Sequence, residues 1–406
     1  MTLSSSDFAT SQIESDQIDL VVRRSASFLD RFFSVIAPVT GLVERFIRWS
    51  LLTFVDPEKA HNLTLKFLPL AALTRYRPSK DDERLNQRVF GLNFKNPIGV
   101  AAGVDKDAEK VSPLLQCGFG FVEVGTVTPL GQPGNTKPRA FRLRENKAII
   151  NRFGFNSAGA DVVLRRLAER AYEGGLVGVN IGANKDSADR VSDYVDLIKK
   201  FAPVASYVTI NVSSPNTPGL RNLQMASALD ELLGRVIDTR DKVQRRSGPT
   251  PVLLKIAPDV SLSELDDIVG IARRWKIDGM IVSNTTTQRP SSLVSRKNSQ
   301  VGGLSGRPLF KISTRILAET YVRVESAFPI IGVGGIDSGS AAVAKIRAGA
   351  NLIQLYSGLA FYGLDLVAEI KRALLEEVEL RKAENIGDLV GLDAAALTAE
   401  EWPIKD

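Results

Sequence analysis

Eight short apolar runs constrain this chain more than any other feature. They cover residues 98–103, 121–128, 176–182, 207–213, 252–257, 279–284, 330–335 and 352–358. Their starts fall roughly 36 residues apart, room for a strand, a helix and two loops. Each run is apolar at successive positions, not alternate ones, the pattern of parallel strands covered on both faces. Eight such units favour a (β/α)8 TIM barrel over an open doubly wound sheet.

A length of 406 residues suits one large barrel with an appendage. The 52 basic and 46 acidic residues leave a net charge of +6, a small imbalance on so long a chain. It is compatible with an anionic substrate, an anionic membrane surface, or simply a solvated exterior. No Lys/Arg run or aromatic-interleaved basic stripe points to nucleic acid. The single cysteine, Cys117, excludes a disulfide within the chain and a cysteine-ligated iron–sulfur cluster; it reads as a core residue. The single histidine, His61, excludes a His-rich metal site, and no carboxylate cluster suggests a metal.

The expected layout is a leader over 1–40, a helical unit over 41–80, the barrel over 81–380 and a tail over 381–406. Residues 1–20 are rich in Ser, Asp and Gln and read as disordered. A basic, amphipathic stretch from Arg23 to about residue 55 invites a mitochondrial targeting reading, although Asp7, Glu14, Asp16 and Asp19 depart from that composition. No uncharged apolar run is long enough to span a bilayer. From 42 to 73, Leu42, Phe46, Trp49 and Leu52, then Ala60, Leu63, Leu65, Phe67 and Leu68, predict two short amphipathic helices. Asp56-Pro57-Glu58 marks the start of the second. The pair either packs on the main domain or forms a membrane-surface hairpin.

Barrel chemistry belongs at the C-terminal ends of the strands. Here those ends carry Ala101-Ala102-Gly103 followed by Asp105-Lys106, then Thr126, Asn180 and Asn211, Lys255, Ser283-Asn284-Thr285, Gly334-Gly335, and Tyr356-Ser357-Gly358. The seventh and eighth ends, with their glycines, are where such barrels cradle phosphate. Lys255 reads either as a lysine reaching the rim or as a cation facing an electron-rich ring such as a reduced flavin. Lys106 reads as a solvated loop lysine or as the partner of a carboxylate. The amides of Asn151, Asn211, Asn216 and Asn284 suit a ligand with alternating C=O and N–H edges, such as a pyrimidine. The turn Asn211-Val212-Ser213-Ser214-Pro215-Asn216-Thr217 holds no acid, histidine or cysteine, so any proton chemistry there falls to a hydroxyl.

With these residues in place, the chain resembles the class 2, quinone-dependent dihydroorotate dehydrogenases over roughly residues 45–375. The motifs are Ala-Ala-Gly-Val-Asp-Lys, Asn-Arg-Phe-Gly-Phe-Asn, Asn-Val-Ser-Ser-Pro-Asn-Thr, Lys-Ile-Ala-Pro-Asp, Asn-Thr-Thr, Gly-Gly-Leu-Ser-Gly and Gly-Val-Gly-Gly-Ile. The resemblance implies oxidation of (S)-dihydroorotate to orotate in pyrimidine synthesis, with FMN as cofactor and a ubiquinone-type membrane quinone as acceptor. It implies Ser214 as the base for the C5 proton, with Thr217 as a relay partner, while hydride leaves C6 for the flavin. Lys106, Asn151, Arg152, Phe153, Gly154, Phe155, Asn211, Asn216, Asn284 and Thr285 match the substrate shell. Ala101, Ala102, Gly103, Thr126, Asn180, Asn211, Lys255, Ser283, Gly306, Gly335, Tyr356 and Ser357 match the FMN shell. His61, Arg142 and Tyr356 match the quinone channel. Class 1 relatives place a cysteine where Ser214 stands, so the serine and the helical extension both favour class 2. The resemblance further implies a monomer on a mitochondrial inner membrane, with a bacterial cytoplasmic membrane as the alternative.

Overall fold

The computed structural model describes residues 50, 52–75, 81–243, 248–399 and 401. The chain forms two compact units, Met1–Asp56 and Pro57–Asp406, and everything below belongs to the second. The leader and the first expected helix, up to residue 49, lie outside the described residues.

All eight apolar runs are strands of one closed parallel barrel. They are β3 (Ile98–Val100), β4 (Phe121–Val127), β7 (Leu176–Ile181), β8 (Tyr207–Asn211), β9 (Val252–Ile256), β10 (Gly279–Val282), β12 (Ile330–Val333) and β13 (Leu352–Leu355). Each pairs with its predecessor, and β13 pairs with β3 to close the ring. Their outward side chains, with the inner faces of the surrounding helices, make the main apolar core. The helices start where the sequence supplies caps. Ser261 and Glu264 form a reciprocal capping box at the helix Leu262–Arg274, and Asp189 and Ser338 cap Arg190–Phe201 and Gly339–Arg347.

Two smaller sheets lie outside the barrel, and the apolar periodicity does not announce either. The hairpin β1 (Gln87–Val89) and β2 (Leu92–Phe94) packs at the N-terminal end of the bore. There Phe94 meets Phe121 edge-to-face at 5.1 Å, and Phe90 lies 6.4 Å from Tyr207. The other is an antiparallel sheet of β5 (Ala140–Leu143), β6 (Ala148–Asn151) and β11 (Gly303–Gly306).

The helix α1 (Pro57–Arg75) begins at the proline the sequence marked. Glu58 in its first turn binds Arg139 through both carboxylate oxygens, at 2.7 and 3.1 Å. Ala60, Leu68 and Ala72 are buried, while Leu63, Phe67, Leu70 and Leu73 are exposed on the opposite side of the helix. No helix among the described residues is long and apolar enough to cross a membrane.

Candidate functional site

Side chains alternate along the strands, so each inward position belongs to a layer of the bore. At the N-terminal end, Phe121, Tyr207, Leu253, Ile281, Ile331 and Leu352 pack as an apolar floor. Two residues further along the same strands the layer turns polar: Glu123, Thr209, Lys255 and Gln354, joined by Asn180. Glu123 is fully buried and accepts from Asn180 Nδ2 (2.9 Å), Tyr207 Oη (3.0 Å), Thr209 Oγ1 (3.2 Å) and Gln354 Nε2 (2.9 Å). Lys255 is 5% exposed. Burial lowers its pKa, and the nearby charge of Glu123 opposes that shift.

Above this layer a cleft opens at the C-terminal ends of the strands. Asn211 Nδ2 donates to Asn180 Oδ1 (3.0 Å) and to Thr126 Oγ1 (2.9 Å), which itself donates to Asn180 Oδ1 (2.6 Å). Asn211 Oδ1 accepts the Ser213 hydroxyl (2.8 Å), and Ser213 Oγ accepts from Asn284 Nδ2 (3.0 Å). Ser214 is 6% exposed and faces the cleft, its Oγ accepting the backbone N–H of Asn216 at 3.3 Å. Thr217 Oγ1 is buried without a hydrogen-bond partner. Asn216 Nδ2 reaches Asn151 Oδ1 at 3.3 Å. Asn135 donates to the carbonyls of both Arg152 and Asn216, tying the two substrate-motif loops together.

One wall carries the charged groups. Lys106 Nζ sits 4.1 Å from the centre of the Phe153 ring, and burial lowers its pKa to about 8. Burial, reinforced by the Lys106 charge, lowers His61 to about 4, so His61 is neutral at physiological pH. Tyr356 also lines the cleft; burial first, and then the Glu58 charge, pushes its hydroxyl up to about 12. Across the mouth, Gly334 and Gly335 have φ of +113° and +74°, and a Cβ on Gly335 would lie 2.4 Å from Phe310 Cα. Glycine is required there, and the bare backbone can approach a ligand closely.

All the sequence-expected substrate and cofactor residues line this cleft except two. Asn180 lies beneath it, in the polar layer. Arg152 stacks on Phe141 at 4.5 Å and donates to the Gln300 side chain and the Val301 carbonyl. Of the quinone-channel set, Tyr356 is in the lining, whereas His61 and Arg142 are not. Cys117 ends the helix Val111–Gln116 and is only partly buried, short of the core position expected for it. The residues sequence reasoning missed are Asn156, Ser305, Leu309, Val333, Ile336 and Gln354, with Glu123 beneath them, while Gly334 and Gly358 line the cleft at the glycine-bearing strand ends the sequence pointed to. Among the described residues, no group of three or more His, Cys, Asp or Glu is arranged to hold a metal.

Residues 84–378 match the family model for dihydroorotate dehydrogenase. The chain belongs to this family. A Bradyrhizobium diazoefficiens protein named dihydroorotate dehydrogenase (quinone) is 62% identical over 357 residues, 87% of this chain and 96% of its own length. A Rhodopseudomonas palustris protein of the same name is 61% identical, across 87% and 97%. The crystal structure of the Eimeria tenella family member in complex with ferulenol matches with a TM-score of 0.80 at 39% identity, covering 84% of this chain and 96% of that one. The named relatives at about 60% identity are bacterial, so the mitochondrial inner-membrane expectation, which drew on the long leader, finds no support in them.

Dihydroorotate dehydrogenases use FMN, and the cleft has the features such a group needs. Gln354 Oε1 is buried without a hydrogen-bond partner, an acceptor that a ligand N–H or O–H would satisfy. Lys255 in the same lining would supply a cation, and the Gly334-Gly335 backbone a seat for phosphate.

Proposed function

We propose that this chain oxidises (S)-dihydroorotate to orotate in pyrimidine biosynthesis and passes the electrons to a quinone. The observation that carries this reading is one cleft holding Ser214, four asparagine amides and Lys255, in a chain of this family. FMN bound there supplies the hydride acceptor and the route of the two electrons to quinone. Ala101, Ala102, Gly103, Thr126, Lys255, Ser283, Gly306, Gly335, Tyr356 and Ser357 would hold it.

The chain's own share is to bind the pyrimidine, orient it and move one proton. Asn151, Asn216 and Asn284 meet the ring edges, and Lys106 meets the carboxylate. Ser214 Oγ takes the C5 proton. A serine hydroxyl is a weak base, and the Asn216 N–H directed at Oγ stabilises the negative charge that develops there. Thr217 Oγ1, which lacks a partner, is the first relay for the displaced hydroxyl proton, taking it up as its own O–H proton passes on to water.

The exposed apolar side of α1 supports a peripheral bacterial-membrane location from which quinone enters past His61, Arg142 and Tyr356. Anaerobic addition of dihydroorotate to the purified yellow protein should bleach the flavin band, and a quinone should restore it. A band that responds to NADPH but not to dihydroorotate would instead favour a nicotinamide-linked pyrimidine reductase.

A further inference from the structure

Among the described residues, Glu123 is the carboxylate inside the bore that the proposed chemistry leaves without a task. It is fully buried in the middle of β4, where a carboxylate is costly unless every oxygen is satisfied. Its four donors satisfy it, and their arrangement fixes more than its own solvation.

An ionised carboxylate only accepts hydrogen bonds. Asn180 must therefore turn its NH2 towards Glu123 and its Oδ1 away. That oxygen faces Thr126 and Asn211, so Asn211 must donate to it. The carbonyl of Asn211 is then left facing Ser213, which must donate its O–H to it. Ser213 Oγ is thereby an acceptor for Asn284 Nδ2. Without the carboxylate, either amide could turn over, because the two ends of an asparagine have the same shape. By the same logic Gln354 must donate to Glu123, and this is what leaves its Oε1 pointing elsewhere with no partner.

We propose that Glu123 is a positioning residue. Its carboxylate sets the polarity of the amide relay through Asn180 and Asn211 to Ser213 and Asn284, and it balances the positive charge of Lys255. This rests on the functional reading above. The relay ends next to Ser214, so one buried charge determines which atoms the turn presents to the pyrimidine. A carboxylate serving stability alone would need only its hydrogen bonds satisfied, and their direction would not matter.

The test uses the full-length, FMN-loaded protein. Orotate affinity is read from the flavin absorbance change, the flavin midpoint potential from a redox titration, and folding from the melting temperature. Glu123→Gln keeps the shape and removes the charge; orotate affinity should fall at least tenfold, and the midpoint potential should become more positive because the Lys255 cation is left unbalanced. Tyr207→Phe removes one donor to the same carboxylate and leaves its charge, so orotate affinity should stay within twofold of wild type. Asn180→Ala cuts the relay one step later and should lose orotate affinity as Glu123→Gln does. A folded Glu123→Gln protein that binds orotate within twofold of wild type would overturn the relay, and an unchanged potential would overturn the balancing of Lys255. If Glu123→Gln does not fold, Asn180→Ala decides, and wild-type orotate affinity there overturns the relay. Wild-type protein that neither binds orotate nor is reduced by dihydroorotate would overturn the functional reading itself, a separate result.

Discussion

The two ends of the bore are built from the same strands and do opposite jobs. At the N-terminal end, Phe121, Tyr207, Leu253 and Leu352 fill space and meet each other and the hairpin. Two residues further along, Glu123, Thr209, Lys255 and Gln354 form a polar layer that has to be satisfied bond by bond. The floor draws its stability from area removed from water. The polar layer gains little from burial and places a cation and an unpartnered acceptor under a ligand. Stability and function are thus separated along the strand axis by a single pleat.

Substitutions in the two layers should therefore fail in different ways. Ser214→Ala, at the polar mouth, should cut the rate of flavin reduction by dihydroorotate roughly 10²–10⁴-fold while FMN stays bound. Stopped-flow absorbance measures this, and a near-normal rate would remove the serine from the base role. Tyr207→Ala, in the floor, should cost about 3–5 kcal/mol in denaturant unfolding, because the ring that fills the barrel end leaves a cavity. Lys255→Met should show the reverse pattern. It removes a buried cation but leaves the Glu123 charge without its counter-charge, so the FMN-free protein should lose less stability than Tyr207→Ala while flavin reduction slows. A large drop in its melting temperature would show that the lysine also serves the fold.

The smallest expected effect is a pH dependence. Lys106, at about 8 in the ligand-free protein, must be protonated to hold an anion. Orotate affinity should be flat below about pH 8 and fall up to tenfold per pH unit above it, because binding must then take up a proton. Lys106→Met should abolish that slope along with much of the affinity.

The barrel was legible because strands covered on both faces must be apolar at successive positions, and eight such runs stand out. The small sheets were not. β5 is Ala-Phe-Arg-Leu, β11 is Gly-Leu-Ser-Gly, and the hairpin strands are three residues each, too short for any period to declare itself. The cleft was legible where residues sit at strand ends, which is why Lys106, Asn211 and Tyr356 could be named. Glu123 and Gln354 lie inside runs that otherwise read as core, and a lone polar residue there is easily passed over. A glutamate within Phe-Val-Glu-Val was the available signal, since an unpaired charge in a covered strand has no other way to persist. Arg152 misled in the opposite direction. It sits in a dense ligand motif, yet its side chain turns to Phe141 and the Gln300–Val301 segment, a distinction that only three-dimensional packing makes.

The seam between β13 and β3 bears on how the protein is made. Ile353 pairs with Ile98, so the ring stays open until the last strand has left the ribosome. Gln354, Tyr356 and Ser357 arrive with that strand and complete the lining of the cleft. A chain that stops short of residue 352 has neither a closed barrel wall nor these lining residues.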